Sequence, residues 1–351
     1  MSVTGVTESS SLGQASRGFC GAHDPLFTLR TLPSLTAQSL LAEGFGPLTH
    51  PYLAIRLDAA EDIDPASLST LPCPIIFIGN AAHSLADACD ILLLDETHLP
   101  TIAANIARAP IAAATLVQLL RAAENLPVHH ALTLESLAYG TLQNGAEAQA
   151  WRATHPPALP PAADASEPVL LERNGADLAI TLNRPAVRNE LAVPLRDALT
   201  DALRLAALDD TIATVTLQGA GKCFSIGGAL HEFGTAPDPA TAHAIRLARG
   251  PAFALAAVAP KTHARVHGAC IGAGAELAAL CGRVTAAPNA FFQLPEIRMG
   301  LIPGAGGTAA FTRRIGRQRT AFLALSARHL GARQALAWGL IDAIDPDLAK
   351  R

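Results

Sequence analysis

Three glycine-rich segments punctuate the second half of this 351-residue chain, and each lies where a β-rich run or a loop leads into a helical pattern. They are Gly221–Gly228, Gly268–Glu276 and Ile302–Thr308. Glycine lets a backbone approach a ligand closely, and the free N–H groups at a helix start favour a developing anion. The spacing therefore predicts an α/β domain whose turns build a ligand site.

These segments do not match three familiar glycine motifs. Lys222 is followed by Cys223 and position 216 is not glycine, which excludes a phosphate-binding P-loop. Ser225 lacks the first glycine of a hydrolase nucleophile elbow. Gly304–Ala309 has the letters of a dinucleotide turn, but it follows Pro303 and has no acidic residue about 20 positions further on at a strand end. The hypothesis of a nicotinamide-dependent oxidoreductase would depend on that last segment alone.

Hydrophobic periodicity predicts alternating strands and helices across the second half of the chain. The predicted strands cover 169–172, 178–182, 214–218 and 262–266, and the predicted helices cover 192–207, 240–258 and 273–281. The helix over 240–258 is expected to break at Gly250-Pro251, because proline cannot continue a helix from its N-terminal side. This alternation is typical of a layered α/β domain.

A proline-rich stretch, His155–Glu167, divides the chain and is predicted to be an extended linker. It separates a smaller α/β N-terminal domain, residues 26–154, from a larger domain, residues 168–351. Residues 1–25 are polar and Ser/Gly-rich, so we expect them to be disordered. Within the smaller domain, strands are predicted over 52–56, 74–79 and 91–94, and helices over 99–108, 111–122 and 128–143.

Composition argues against several kinds of partner. The formal net charge is −4 and no run of Lys or Arg occurs, so neither nucleic acid nor an anionic membrane surface is expected as a partner. No uninterrupted apolar stretch reaches about 18 residues and the N-terminus has no apolar signal core. The six scattered cysteines include no C-x-x-C pair, which indicates reduced thiols in a cytoplasmic protein and no metal site.

Glu276 is a candidate proton-transfer residue on its surroundings alone. Its helix neighbours Gly272, Ala273, Ala279 and Leu280 are small or apolar, so we expect its carboxylate to be poorly solvated. Desolvation raises the pKa of a carboxyl group and suits it to proton transfer near neutral pH. The alternative is a first-turn glutamate that only complements the helix dipole.

Five motifs in register resemble the crotonase (enoyl-CoA hydratase/isomerase) superfamily over about residues 168–345. They lie at 182–191, 221–228, 267–278, 292–308 and 335–342. The resemblance implies a spiral of ββα turns that binds an acyl-CoA thioester. It implies no separate cofactor, because coenzyme A enters as part of the substrate, and it implies a homo-oligomer, either a trimer or a hexamer.

The resemblance also implies roles for individual residues. Glu276 and Glu296 fall on the two catalytic carboxylate positions, where Glu276 would deprotonate water and Glu296 would protonate the α-carbon. Glu296 taken alone, after Pro295, would be interpreted as a solvated loop charge. The backbone amides of Ile226 and Ala273 would form the oxyanion hole for the thioester carbonyl. The further substrate-binding or CoA-binding positions are Arg188, Asn189, Ser225, Gly227, Gly272, Pro303 and Gly304.

Because both glutamates are present, the implied activity is addition of water to a 2-enoyl-CoA. A double-bond isomerase or a CoA-thioester hydrolase of the same fold is an alternative, since fold does not determine reaction. A non-catalytic partner subunit is the alternative from another class.

The helices that usually follow the motif at 335–342 in this superfamily are missing from the end of this chain. Segments 89–100, 104–110 and 131–139 resemble that tail. We therefore expect residues from about 50 to 151 to supply these helices in a permuted position, on their own catalytic domain or on a neighbour's. The alternative is a degenerate half retained for packing. No glycine or glutamate motif occurs in 26–154, so no chemistry is predicted there.

Overall fold

The computed structural model describes residues 44–59, 63–156 and 165–350. The predicted disordered segment 1–25 and residues 157–164 of the predicted linker lie outside the described residues. The described strands are β1 (Leu53–Arg56), β2 (Ile75–Ile78), β3 (Ile91–Leu93), β4 (Val169–Asn174), β5 (Asp177–Leu182), β6 (Thr214–Gly219), β7 (Thr262–Val266), β8 (Ala269–Ile271), β9 (Arg283–Ala286), β10 (Phe291–Gln293), β11 (Leu330–Gly331) and β12 (Ala343–Ile344).

The described α-helices follow the same order along the chain. They are α1 (Pro65–Ser69), α2 (Leu99–Arg108), α3 (Pro110–Ala123), α4 (Val128–Gln143), α5 (Ala146–Thr154), α6 (Val193–Leu208), α7 (Pro239–Arg249), α8 (Pro251–Val258), α9 (Ala273–Leu280), α10 (Gly307–Ile315), α11 (Arg317–Ser326) and α12 (Ala332–Trp338). The predicted break falls between α7 and α8, where Pro251 occupies the first helical position and has no N–H to donate.

The second half of the chain winds as a spiral of ββα turns. One sheet has the strand order β12-β9-β7-β6-β5-β4 and a smaller sheet has the order β11-β10-β8. Successive turns place a strand in the larger sheet, a strand in the smaller sheet and then a helix, as in β7-β8-α9 and β9-β10-α10. Neighbouring strands are parallel except in the pairs β4–β5 and β10–β11. The predicted α/β fold class is confirmed.

Simple burial patterns explain these elements. In β7, alternate residues such as Ala264 and Val266 are buried, which is the period of a strand with one face on the core. In α6, Leu195, Leu199 and Leu203 are buried at helical spacing and face the larger sheet, consistent with an amphipathic helix.

The described N-terminal residues pack in two ways. Strands β1, β2 and β3 form a parallel sheet that buries Phe77 and its neighbours in a separate apolar cluster with Leu68 of α1. Helices α2 to α5 instead share the main hydrophobic core with the ββα spiral, and Asn105 Nδ2 donates to the carbonyl of Leu325 over 2.8 Å. The described N-terminal helices therefore lie against the second half of the same chain. Whether 26–154 and 168–351 are separate domains stays a prediction.

Within the described ranges, no single helix is both long and apolar enough to cross a bilayer. The helical segments Glu96–Arg108 and Pro110–Ala123 are long and apolar enough only when taken together, and the chain bends by 108° between them.

Candidate active site

A cavity of about 1880 Å³ opens between the N-terminal helices and the ββα spiral. All three glycine-rich segments reach it, through residues 226–228, 271–273 and 304–306. Helices α4, α5 and α7 supply other parts of its wall. The ligand site predicted from the glycine spacing thus corresponds to a single cavity.

Two neighbouring strands bring Glu276 and Glu296 to the same side of this cavity. β8 and β10 are parallel, with Ile271 opposite Gln293, so the residues that follow both strands meet at one sheet edge. Glu276 lies in the first turn of α9, and Glu296 begins a 3₁₀ turn after β10. Gly272 has φ +50°, and a Cβ there would come within 2.8 Å of Glu296 Oε1, so only glycine leaves room for this carboxylate.

Glu276 is held by the third glycine-rich segment. Its Oε2 accepts hydrogen bonds from the amides of Ala305 and Gly307 at 2.7 and 2.8 Å, and the residue is 2% exposed. Burial raises the pKa of Glu276 well above its ordinary value, and the nearby carboxylates of Glu296 and Glu135 raise it further, while the two amides oppose the rise. This is the poorly solvated environment that its small neighbours predicted.

Glu296 is 7% exposed, so its interpretation as a solvated loop charge is wrong. Within the described part of the chain its Oε2 has no hydrogen-bond partner. Burial raises the pKa of Glu296 to about 8. A buried carboxyl oxygen without a donor favours the neutral acid, so Glu296 is suited to carry a proton at neutral pH.

A third buried carboxylate comes from the N-terminal helices. Glu135, on α4, accepts hydrogen bonds from the amides of Gly306 and Thr308 at 2.6 and 2.8 Å and from the Thr308 hydroxyl. Burial raises its pKa to about 7. Residues 26–154 therefore contribute Glu135 to the cavity wall, while the expectation that they carry no chemistry stays a prediction. The sequence sign of this contact is a glutamate inside the apolar run 131–138. We interpreted that run only as resembling the C-terminal helices of the crotonase superfamily.

The predicted oxyanion hole needs one correction. The Ile226 amide donates to the carbonyl of Arg188 over 3.2 Å, so it is not free to bind a substrate oxygen. In the described structure, neither the Gly228 amide nor the Ala273 amide, which starts α9, donates to a protein acceptor. The two segments approach each other after the parallel bridge between 225 and 270, since a Cβ on Gly227 would lie 3.3 Å from the Ala273 nitrogen.

Asn189 and Ser225 do not contact a ligand as predicted, because both are fully buried. Asn189 Nδ2 donates to three backbone carbonyls in the segment 220–224. Ser225 Oγ donates to the Asn189 carbonyl over 2.7 Å and accepts from the Gly227 amide over 3.1 Å. Both side chains therefore shape the first glycine-rich segment from behind.

The other predicted positions divide between the cavity wall and its surroundings. Gly227, Gly272 and Gly304 line the cavity. Pro303 is buried and faces Gly307 rather than the opening, which corrects its predicted contact with the substrate.

Arg188 is exposed beside the cavity-lining Val187, so its predicted binding of CoA stays a prediction. Among the described residues no group of three or more His, Cys, Asp or Glu is arranged to hold a metal ion.

The geometry thus combines paired buried carboxylates, free amides and a large cavity on a ββα spiral. The family model for enoyl-CoA hydratase/isomerase matches residues 172–350, which is half of the chain. The chain belongs to the enoyl-CoA hydratase/isomerase family, and the resemblance to the crotonase superfamily is confirmed.

The relatives described below each match about half of the chain. It is 37% identical to the 2,3-dehydroadipyl-CoA hydratase of Escherichia coli (strain K12) over 181 residues, which are 51% of this chain and 69% of that protein. It is 32% identical to a trans-2-decenoyl-(acyl-carrier-protein) isomerase of Streptococcus mutans, covering 46% and 63% of the two chains. A solved enoyl-CoA hydratase from Thermoplasma volcanium is 32% identical and aligns with a TM-score of 0.47 over 53% of this chain and 74% of that one.

Proposed function

We propose that this protein adds water across the double bond of a 2-enoyl-CoA thioester. The observation that carries the proposal is the pair Glu276 and Glu296, two buried carboxylates with raised pKa values on one side of a single cavity. Hydration needs one group that accepts a proton from water and another that delivers a proton to carbon, and the two environments suit opposite roles.

The contacts of the two glutamates support a division of work between them. Two amides hold Glu276 through Oε2 and stabilise its ionised form, so Oε1 is left to accept a proton from water. The water oxygen then bonds to C3. Glu296 lacks such donors, is neutral below its pKa of about 8, and delivers its proton to C2. The two glutamates exchange protonation states, and proton transfer through the cavity resets them.

The thioester carbonyl gains negative charge when water attacks C3, and the amides of Gly228 and Ala273 are available to stabilise it. Neither donates to another described residue, and the segments that carry them approach closely, since a Cβ on Gly227 would lie 3.3 Å from the Ala273 nitrogen. Donors that are fixed before the reaction stabilise the enolate without reorganisation. Gly228 replaces Ile226 in this proposal because the Ile226 amide is already donated.

The test is turnover of crotonyl-CoA and longer 2-enoyl-CoAs, followed by loss of the enoyl-thioester absorbance. Glu276→Gln and Glu296→Gln should each lower kcat by about 10³-fold, within the usual range for loss of a general acid or base. Glu172→Gln makes the same substitution at an exposed position of β4, away from the cavity, and serves as the control. It should keep the wild-type kcat.

Three results would contradict the proposal in different ways. Conversion of 3-enoyl-CoA to 2-enoyl-CoA without hydration would identify an isomerase. Release of free CoA from the thioester would identify a hydrolase. Neither turnover nor acyl-CoA binding would favour a non-catalytic subunit.

A further inference from the structure

We propose that Arg246 makes this cavity select acyl chains that carry an anionic group, a terminal carboxylate being the simplest case. The inference rests on the proposed function, because it assumes that the acyl chain of a CoA thioester occupies the cavity. It goes beyond that function by naming the substrate class and the residue that recognises it.

Arg246 lies on α7 and lines the cavity close to the catalytic pair. Its guanidinium carbon is 5.2 Å from the centre of the Tyr139 ring, on α4. Gly304 also packs against that ring, and the next residue, Ala305, donates its amide to Glu276. One aromatic ring therefore lies between the guanidinium and the loop that holds the Glu276 carboxylate.

The charge of Arg246 has only neutral hydrogen-bond partners. Its Nε donates to Ser136 Oγ and its Nη2 donates to the Ser136 carbonyl, both over 2.8 Å. Throughout the described ranges, no carboxylate oxygen lies within 4.0 Å of its guanidinium nitrogens. The carboxylate of Glu135 interacts with this charge from beyond 4.0 Å, so the half-buried guanidinium has no anion in direct contact and can accept one from a ligand.

The surrounding residues fix the position of this guanidinium. Ser136 Oγ accepts from Arg246 Nε and also lies 2.9 Å from His243 Nδ1, in a hydrogen bond whose direction depends on the imidazole tautomer. A Cβ on Gly140 would lie 2.7 Å from Arg246 Nη2, so a glycine in the middle of α4 lets the guanidinium cross the helix closely. The arginine is thus oriented before any ligand arrives.

A carboxylate on the acyl chain would give Arg246 the charge-assisted hydrogen bonds that Ser136 does not supply. The phosphates of coenzyme A carry the same chemistry. The acyl chain is favoured because Arg246 and the loop that binds Glu276 pack against the same Tyr139 ring, which places the guanidinium near the reacting carbons. Binding of free CoA, measured beside binding of the acyl-CoAs, shows whether Arg246 binds the CoA phosphates or the acyl-chain carboxylate.

The experiment measures binding and turnover with two matched acyl-CoA pairs in wild type and Arg246→Met. One pair is hexanoyl-CoA and the same saturated chain with a terminal carboxylate. Neither compound has a double bond to hydrate, so this pair measures binding alone. The other is the corresponding 2-enoyl-CoA pair. Wild type should prefer the carboxylate member of each pair. Arg246→Met should reduce that preference by roughly 100-fold, because removing a charge partner discriminates strongly against the charged ligand.

Arg249→Met is the matched control, since Arg249 is on the same helix and its guanidinium lies 3.8 Å from the exposed Asp201. It should keep the wild-type preference. The inference would be overturned if Arg246→Met weakened binding of the neutral and the carboxylate acyl-CoA equally. It would also be overturned if the variant lost affinity for free CoA to the same extent. A preference in the saturated pair that depends on Arg246, without any turnover, would support the inference and disprove hydration.

Discussion

Glu135 and Glu276 bind alternate amides of one short segment. Glu135 accepts from Gly306 and Thr308, and Glu276 accepts from the residues at 305 and 307. The third glycine-rich segment, which opens α10, is thus held between a carboxylate from the N-terminal helices and a carboxylate from the spiral. The position of Glu276, the proposed base, therefore depends on a residue that precedes the whole ββα spiral in the chain.

Glu135→Gln should lower kcat by about 10-fold and destabilise the protein by about 2 kcal/mol, because an amide cannot accept both sets of hydrogen bonds as a carboxylate does. The negative charge of Glu135 also raises the pKa of Glu276. Its removal should therefore move the acidic limb of the kcat/KM profile to lower pH. Kinetics across pH and thermal denaturation measure both effects.

Glu147→Gln is the control for Glu135. Glu147 accepts from the amides of Ile111 and Ala112 at the start of α3, so its loss should lower stability. The pH dependence of kcat/KM should be the same in Glu147→Gln as in wild type. If both variants shift the profile equally, Glu135 has no special link to Glu276.

The buried acid Glu296 should make stability depend on pH. Its pKa rises from an ordinary 4.5 to about 8 in the folded state, so the folded protein binds the proton more tightly than the unfolded chain. This contribution is complete below pH 4.5 and is lost as the pH rises towards 8. Glu296→Gln removes it, so the stability of the variant relative to wild type should rise by about 4 kcal/mol between these pH limits. Urea denaturation at several pH values tests this, and parallel curves would contradict it.

Asn189→Ala should cost about 3 kcal/mol and abolish most activity. The side chain donates to three carbonyls of 220–224 and accepts from the Arg184 amide, all in a buried site. Its φ of +54° is also tolerated better by asparagine than by alanine. Without these bonds the segment that carries the Gly228 amide loses its support.

Asn183→Ala is the matched control for Asn189, because its Nδ2 makes one bond, to the carbonyl of Glu167. It should cost less than about 1 kcal/mol. Denaturant unfolding compares the two variants. A similar small loss for both would show that the buried network is not needed.

Residues 165–351 expressed alone should neither fold cooperatively nor hydrate 2-enoyl-CoA. The fragment leaves the amides of Gly306 and Thr308 without Glu135 and uncovers apolar surface that α2 to α5 bury. Co-expression with residues 26–154 should restore activity. A stable and active fragment would contradict the expectation that helices of the N-terminal part complete the fold around the cavity.

Local patterns predicted most of the elements. Residues 262–266, 99–108 and 128–143 have the predicted bounds, because each carries a clear period of burial or a defined end. The short strands β8 and β10 were not predicted, since three residues in a glycine-rich context carry too little periodicity.

The errors in the site have a different cause. Ile226 and Gly228 differ by two positions in the same segment, and only the bond from Ile226 to Arg188 shows which amide is free. Glu135 and Arg246 reach the cavity through helix packing between distant parts of the chain. Motif spacing holds no information about such contacts.

The shared core has a consequence for the order in which the protein can fold. Helices α2 to α5 leave the ribosome before any of the strands and helices of the spiral has been synthesised. Their apolar faces, including Ile102, Leu116 and Leu132, must pair among themselves or be shielded by a chaperone until the partner surfaces near Phe311 and Leu325 emerge. The last part of the chain to be translated therefore completes the fold of the first.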